Sequence, residues 1–496
     1  MSNYIGIDLG TTYSAVATID ATGIPKIIEN NGKSITPSCV MLENDKLIVG
    51  EIPETRYGMR GFDVGARFKR HMGEEHTTQL GSRSFTPTDL SAAVLKEMLK
   101  IAENQLGEIS EAVITIPANF MQEARDATLQ AAQKAGINVN YIINEPTAAA
   151  LFYGHQEGAA LNGYYAVYDL GGGTFDVSIV KAENNNIDVI ATQGVAKLGG
   201  DDFDKILRDL FKQKLQEMTS EEAQDEDVPL SKMAELKVKL SERQKAPHVI
   251  NGEVIEVSRV EFEEKISPLI NQAELLCETV MEEADLQVSD LQAVYLAGGS
   301  TRVPAVMRSI KKVFQKEPIG SENVDQVVAL GAALYAAMKS TGEHLSSAQS
   351  ASIKKLKVSE IATYFFGTLS VSYNSTKNSE ELNNSLIISK GEKIPCARTE
   401  KFATRYEGQT AINCTVTKSG SPETDPRFVS TVWEGDLELP ENRPAGMEIE
   451  VTYSFDENGM MHCKFLDVES GRLTEVDLDN SSEKQNASEI DKFLVE

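Results

Sequence analysis

The residues best suited to chemistry lie in one stretch, Tyr165-Ala-Val-Tyr-Asp-Leu-Gly-Gly-Gly-Thr-Phe-Asp-Val-Ser-Ile-Val180. An apolar run from Tyr165 to Tyr168 delivers Asp169 to a turn made of Gly171, Gly172 and Gly173. Thr174 follows, and Phe175, Val177 and Ile179 alternate along the departing strand. Consecutive glycines let a backbone turn sharply and bring its N–H groups against a bulky anion without Cβ interference. A carboxylate just ahead of such a turn cannot itself bind phosphate. It makes sense if it holds a hard, hydrated cation that bridges to the phosphate. An ordinary glycine-rich hairpin turn is the alternative that this segment alone leaves open.

The N-terminus repeats the grammar. In Tyr4-Ile-Gly-Ile-Asp-Leu-Gly-Thr-Thr-Tyr-Ser-Ala-Val-Ala17, an apolar strand leads to Asp8, Leu9, Gly10, Thr11 and Thr12, then to another alternating strand. Two Asp-Leu-Gly hairpins predict a duplicated unit whose turns grip one nucleotide from opposite sides. Neither turn is a Walker loop, since no Gly-Lys-Ser/Thr follows, and neither opens a helix as a dinucleotide fingerprint would.

The elements that must position these turns alternate between strand and helix. An amphipathic helix is predicted over Thr88–Leu106, opened by Pro87-Thr88-Asp89, then a strand over Glu111–Pro117 and a helix from Gln122 to Ala135. A strand from Val139 to Ile143 runs into Asn144-Glu145-Pro146-Thr147 and a helix over Ala148–Tyr153. This alternation predicts α/β layers, and Glu145 falls at a strand end, where binding groups gather in such sheets. Gly199-Gly200-Asp201-Asp202-Phe203-Asp204 reads as a bend into a helix over Lys205–Glu217. Lys237 and Ser241 share a face of the helix Leu230–Leu240. Arg259–Glu283 reads as a helix pair, and Val324–Met338 as an Ala-rich helix against the last strands. A third glycine turn, Gly298-Gly299-Ser300-Thr301-Arg302, follows the strand Ala293–Ala297; its N–H groups and Ser300 suit a ribose or phosphate, and Arg302 a flat ring. The cluster Arg67-Phe-Lys-Arg-His71 is basic in an acidic chain, a pattern that usually marks a solvated face.

Thr341–Ser352 is polar and small, a linker composition. Beyond about Ser359 short alternating runs separated by glycine-containing turns predict an all-β domain of roughly 120 residues. The sixteen or so residues at the end are polar with a short apolar finish, too little for a helical bundle.

The chain has 496 residues, enough for about three domains. A net charge of -27 argues against nucleic acid or an anionic membrane as the main partner. Five scattered cysteines without Cys-x-x-Cys spacing fit reduced thiols in a cytoplasmic protein, and six histidines form no ligand cluster. No apolar run reaches membrane-spanning length, and the first residues lead straight into a core strand, so no signal peptide is expected.

Ile5-Gly-Ile-Asp-Leu-Gly-Thr-Thr12, Ile142-Ile-Asn-Glu-Pro-Thr-Ala-Ala-Ala150, Val167-Tyr-Asp-Leu-Gly-Gly-Gly-Thr-Phe-Asp-Val177, Leu198-Gly-Gly-Asp-Asp-Phe-Asp204 and Ala297-Gly-Gly-Ser-Thr-Arg-Val-Pro304 resemble the seventy-kilodalton heat-shock (DnaK-type) chaperones. The resemblance covers essentially the whole chain and is densest over its first 340 residues. It implies an α/β actin/hexokinase-like ATPase, duplicated in two lobes, over 1–340, a linker over 341–358, a β-sandwich over 359–480 that holds extended peptides, and a polar tail over 481–496 in place of the family's helical lid. It implies ATP/ADP and Mg2+ as cofactors and slow hydrolysis. Gly10, Thr11, Thr12, Gly171, Gly172, Gly173 and Thr174 would meet the phosphates, with Asp8 and Asp169 holding hydrated magnesium. Lys69 would stand beside the attacking water, and Glu145 and Asp176 would orient it or take its proton, with Thr174 completing the catalytic set. Gly199, Gly200, Lys237, Ser241, Gly298, Gly299, Ser300, Arg302 and Asp325 would line the nucleotide pocket. Pro117 and Arg125 would relay nucleotide state between domains, and Phe402, Ile412, Cys414 and Val416 would line an apolar peptide groove.

The resemblance also implies partners: unfolded polypeptide, a J-domain co-chaperone and a nucleotide exchange factor. Three departures bear on them. Without the lid, peptide exchange should be fast. The linker reads Ile353-Lys-Lys-Leu-Lys-Val358, where the family has a leucine run with an acidic residue. Tyr141 replaces the family arginine that helps recruit the J-domain. Apart from these three, Ala234 replaces a glutamate on the adenosine-facing helix. A nucleotide-binding co-chaperone or scaffold with little hydrolysis is therefore the competing reading. A sugar kinase or filament-forming relative of the same ATPase fold is a third, which the β-domain argues against.

Overall fold

The computed structural model describes residues 3–139, 141–157, 161–183, 186–220, 222–340, 345–353, 357–362, 364–374, 379–456 and 459–478. The chain divides into two compact units between Val358 and Ser359. Lys354, Lys355 and Leu356 of the linker, and the tail over 481–496, lie outside the described residues.

The first unit is built on two sheets with one topology used twice. The strand Asn3–Asp8 turns back antiparallel into Tyr13–Ile19 and pairs on its other side, in parallel, with Ile109–Ile116. The strand Gly163–Leu170 turns back antiparallel into Phe175–Glu183 and likewise pairs in parallel with Leu291–Ala297. Each hairpin is extended by a third antiparallel strand, Pro25–Ile27 in one and Asn186–Val195 in the other. Their burial explains the near-continuous apolar runs: four consecutive residues of Asn3–Asp8 and six of Phe175–Glu183 are buried, as central strands covered on both faces require.

Each sheet has its own core. Around the first pack Ile5, Ile7, Val16, Leu95, Met98 and Ile114. The helix Pro87–Leu106 presents that apolar stripe, and its start is fixed by a capping box in which the Thr86 hydroxyl accepts from the Asp89 N–H while Asp89 accepts from the Thr86 N–H. Around the second pack Tyr168, Phe175, Val177, Phe203, Leu207 and Phe262. The Ala-rich helix, Val327–Lys339, packs not on the last strands but on the first hairpin and on the helix Glu145–Glu157. A Cβ on Gly331 would stand 1.7 Å from the Ala148 carbonyl oxygen, and one on Gly6 2.2 Å from the Ala333 nitrogen. Small residues on both sides let these backbones touch.

Two further expectations change. Arg259–Glu283 is one helix rather than a pair, with Pro268 inside it. Proline cannot bond the carbonyl one turn back, that of Glu264, and the Ser267 hydroxyl donates to that oxygen instead at 2.8 Å. The linker composition also hides a short helix, Ser347–Ile353. It is held to the turn after the first hairpin by Ser352, which donates to the Gly23 carbonyl, and by Ser346, which donates to that of Ala21. Leu345 and Ile353 pack beside Ile19 and Leu334. Small polar residues that resemble a linker are here the donors that dock it.

The second unit consists of two four-stranded antiparallel sheets about one core, which includes Ile388, Val416, Leu437, Val451, Tyr453 and Phe465. One sheet holds Ser379–Ile388, Phe365–Asn374, Ala411–Ser419 and Ser430–Glu438. The other holds Cys396–Ala403, Glu448–Phe455, Met461–Asp467 and Leu473–Asp477. The buried Tyr453 hydroxyl bonds the carbonyls of Gly367 and Thr415, tying one sheet to the other.

Candidate nucleotide site

The two Asp-Leu-Gly turns meet. A Cβ on Gly172 would stand 1.8 Å from the Thr12 hydroxyl oxygen, and one on Gly173 2.2 Å from the Thr11 methyl. The first turn is braced from beneath: the Gly10 N–H donates to Ser14 Oγ, and Ser38 Oγ donates back to the Gly10 carbonyl. The second is braced by the Gly200 and Asp201 N–H groups, which donate to the carbonyls of Gly171 and Gly172, and by Ser300 Oγ, which also donates to Gly171. Gly199 and Gly298 come within contact distance of the same turn, and the φ of +79° at Gly298 suits glycine.

Behind these turns lie four carboxylates and one ammonium group. Lys69 Nζ donates to Glu145 Oε1 at 2.6 Å, with both side chains more than nine-tenths buried. Asp8 ends the first strand and accepts from Thr115 Oγ1 at 3.1 Å. Burial, and then the Glu145 charge, push the Asp8 carboxyl up to about 7. Burial with the charge of Glu145 raises Asp169 and Asp176 well above the usual carboxylate range, and Asp176 and Asp8 add to the effect at Asp169. Burial alone would lower the Lys69 ammonium, but Glu145 and Asp8 outweigh it and hold it above its ordinary value. Four carboxylates gathered about the Lys69 ammonium favour a further cation. Among the described residues no three carboxylate, imidazole or thiol side chains converge as direct metal ligands. Carboxylate oxygens are the donors that a hard, hydrated cation takes. Thr12 Oγ1 and Asp176 Oδ1 are buried without a hydrogen-bond partner, as groups awaiting a ligand would be.

The remaining expected residues gather on the second half of the unit. Lys237 Nζ donates to the Gly200 carbonyl at 2.8 Å and pairs with Asp204 at 2.9 Å. Ser241, one turn on, donates to the Lys237 carbonyl, so its hydroxyl is turned back to its own helix. Arg302 pairs with Asp325 at 2.5 Å, and a Cβ on Gly299 would stand 2.3 Å from the same carboxylate.

Over residues 4–81 and 76–496 the sequence matches the profile of the family described as Hsp70 protein. The chain belongs to the Hsp70 family. Its members are chaperones that bind ATP or ADP with magnesium, hydrolyse ATP, and engage unfolded polypeptides and co-chaperones. Among the described residues of this Hsp70, no helix is long and apolar enough to cross a membrane.

Not every expected residue lies at the nucleotide site. Pro117 is buried at the end of the strand Ile109–Ile116, and Arg125 donates to Asn144 Oδ1 at 3.0 Å, next to Glu145. In the second unit Cys414 and Val416 are core residues, 1% and 0% exposed, so neither offers groove surface here. Phe402 and Ile412 are half-buried against that core. The β-strand Ala411–Ser419 is covered on both faces along Cys414–Thr417, which alternation in the sequence could not show.

Two arginines were missed. Arg67 makes a bidentate pair with Asp201, both bonds at 2.9 Å, and Arg70 pairs with Asp202 at 2.9 Å. The basic cluster is thus no solvated face: it clasps the first turn of the helix Gly200–Thr219. The signal available was a pair of adjacent aspartates, Asp201 and Asp202, just after the Gly-Gly bend.

Proposed function

We propose that the first unit binds ATP with magnesium and hydrolyses it slowly, and that the second holds extended apolar polypeptide. The observation that carries the reading is the Lys69–Glu145 pair set among Asp8, Asp169 and Asp176, where two phosphate-suited turns meet. In this reading Gly10–Thr12 and Gly171–Thr174 cradle the phosphates, and Asp8 and Asp169 hold magnesium through water. Magnesium would supply neutralisation of the phosphate charge. Gly199, Gly200, Lys237, Ser241, Gly298–Ser300, Arg302 and Asp325 enclose the nucleoside.

The chemistry is phosphoryl transfer to water by positioning and charge stabilisation. The water oxygen bonds to the terminal phosphorus as the bridging P–O bond breaks, and ADP keeps that bond's electron pair. Glu145 is committed to Lys69, whereas Asp176 has an unpartnered oxygen. Asp176 is thus the better acceptor for the water's proton, with Glu145 keeping Lys69 in place beside the water. The contact from Arg125 through Asn144 to Glu145 supports a relay of nucleotide state that leaves the site, with Pro117 beside it.

Phe402 and Ile412 are the half-buried apolar residues offered to a peptide, while Cys414 and Val416 support them from the core. Five free thiols, four of them buried, suit a reducing compartment such as the cytoplasm. A J-domain co-chaperone and an exchange factor are the partners proposed. Tyr141, with Lys339 Nζ 4.6 Å above its ring, would alter the surface offered to the first.

The test is release of phosphate from ATP by the purified protein, with and without a denatured protein as substrate. Turnover that the denatured protein stimulates supports the reading. ATP binding without turnover would favour a nucleotide-binding scaffold or co-chaperone instead.

A further inference from the structure

Arg70 reaches two parts of the site at once. Its Nη2 is held by Asp202 at 2.9 Å, and its side chain is only 8% exposed. Its Nε is buried with no hydrogen-bond partner, 3.0 Å from the position a Cβ on Gly173 would take. That position belongs to the turn where Thr11 and Thr12 face Gly172 and Gly173, and Thr12 Oγ1 there is also unpartnered. A buried guanidinium N–H without an acceptor is costly unless something fills the gap, and a charged N–H beside a phosphate-suited turn calls for an anionic oxygen. The neighbouring Arg67 leaves Arg70 free for this task. It takes Asp201 with both of its own bonds, and does so from a left-handed backbone conformation, φ 60°, which a non-glycine residue adopts at a cost.

We propose that Arg70 is a ligand of the terminal phosphate: its Nε–H donates to an oxygen of that phosphate while its Nη2 stays on Asp202. The inference rests on the ATP reading above and deepens it. The group recognised is a phosphate beyond the second, whether the end of a nucleoside triphosphate or inorganic phosphate beside the diphosphate. Because the same side chain grips the helix Gly200–Thr219, phosphate binding and closure of the clasp formed by Arg67–Asp201 and Arg70–Asp202 are linked. Loss of that phosphate removes one of the two anchors of Arg70.

The test uses the full-length protein and its Arg70→Ala, Arg70→Lys and Asp202→Asn variants, each checked for an unchanged circular dichroism spectrum and melting temperature. Calorimetric titrations would use magnesium with a non-hydrolysable ATP analogue, magnesium with ADP, and inorganic phosphate added to the ADP complex. Losing one charge-assisted hydrogen bond predicts about a tenfold or greater loss of analogue affinity in Arg70→Ala. ADP affinity should change by less than about twofold, and phosphate binding to the ADP complex should disappear. Arg70→Lys should recover only part of the loss, since an ammonium cannot serve both partners in the planar fork. Asp202→Asn should weaken analogue binding less than Arg70→Ala. Equal losses for analogue and ADP, or no loss, would overturn the assignment and leave Arg70 as a structural tie. If the unaltered protein binds neither nucleotide, the ATP reading falls with it.

Discussion

A Cβ atom on Gly172 would stand 1.8 Å from the hydroxyl oxygen of Thr12, so two turns far apart in the chain touch where their glycines and threonines alternate. The contact leaves no room for a side chain. Gly172→Ala must push the turns apart, an overpacking cost on the order of 1–3 kcal/mol. The expected outcome is a folded protein whose ATP affinity falls roughly tenfold or more by calorimetry. Unchanged affinity would mean that the two turns do not act together.

Lys69→Ala should remove the one cation from a buried set of carboxylates. Turnover measured by phosphate release should drop on the order of 10²–10³-fold, the scale of losing one preorganised charged donor. Steady-state rates indistinguishable between the variant and its parent would show that Lys69 takes no part.

Gly331→Ala tests packing rather than chemistry. Its Cβ would meet the Ala148 carbonyl at 1.7 Å, in a contact between two backbones that cannot give way as a flexible side chain would. A loss of about 1–3 kcal/mol or more is expected, read as a lower melting temperature. No change in melting would mean that the two helices separate freely.

Asp204 carries a pH dependence with a definite sign. Burial raises its carboxyl and Lys237 pulls it back only partway, leaving it at about 6 against an ordinary 3.8. Between those values the folded protein holds a proton that the unfolded chain has released. This group therefore favours the folded state at the acid end, and its contribution is lost as the pH rises through about 6. Asp204→Asn cannot titrate, so its melting temperature, followed from about pH 4 to about pH 8, should lack that part of the slope. A profile that the substitution leaves parallel to the parent's would contradict the assignment.

The hairpins were legible because period-two apolar runs around Asp-Leu-Gly leave little choice of turn, and Pro87-Thr88-Asp89 marks a helix start, although the cap itself, Thr86, shows only in the structure. What stayed hidden depends on partners distant in sequence. Arg67 and Arg70 read as surface residues because their counter-charges, Asp201 and Asp202, come more than 130 positions later. Arg259–Glu283 read as a pair of helices, and the repair by Ser267 that carries one helix through Pro268 is a matter of side-chain geometry. The helix Ser347–Ile353 resembled a linker because its serines serve as donors to another element's carbonyls. At Cys414 and Val416 the pattern allowed either groove or core, and only the position of the second sheet decides for core.

We propose that the carboxylates of Asp8 and Asp169 bring magnesium to the phosphates of one bound ATP. Calorimetry of ATP binding to the folded protein, with and without magnesium, tests it most directly. One tight site is expected, which weakens sharply when magnesium is chelated and weakens likewise in Asp8→Asn and Asp169→Asn. Affinity that ignores magnesium, or no ATP binding by well-folded protein, would contradict it.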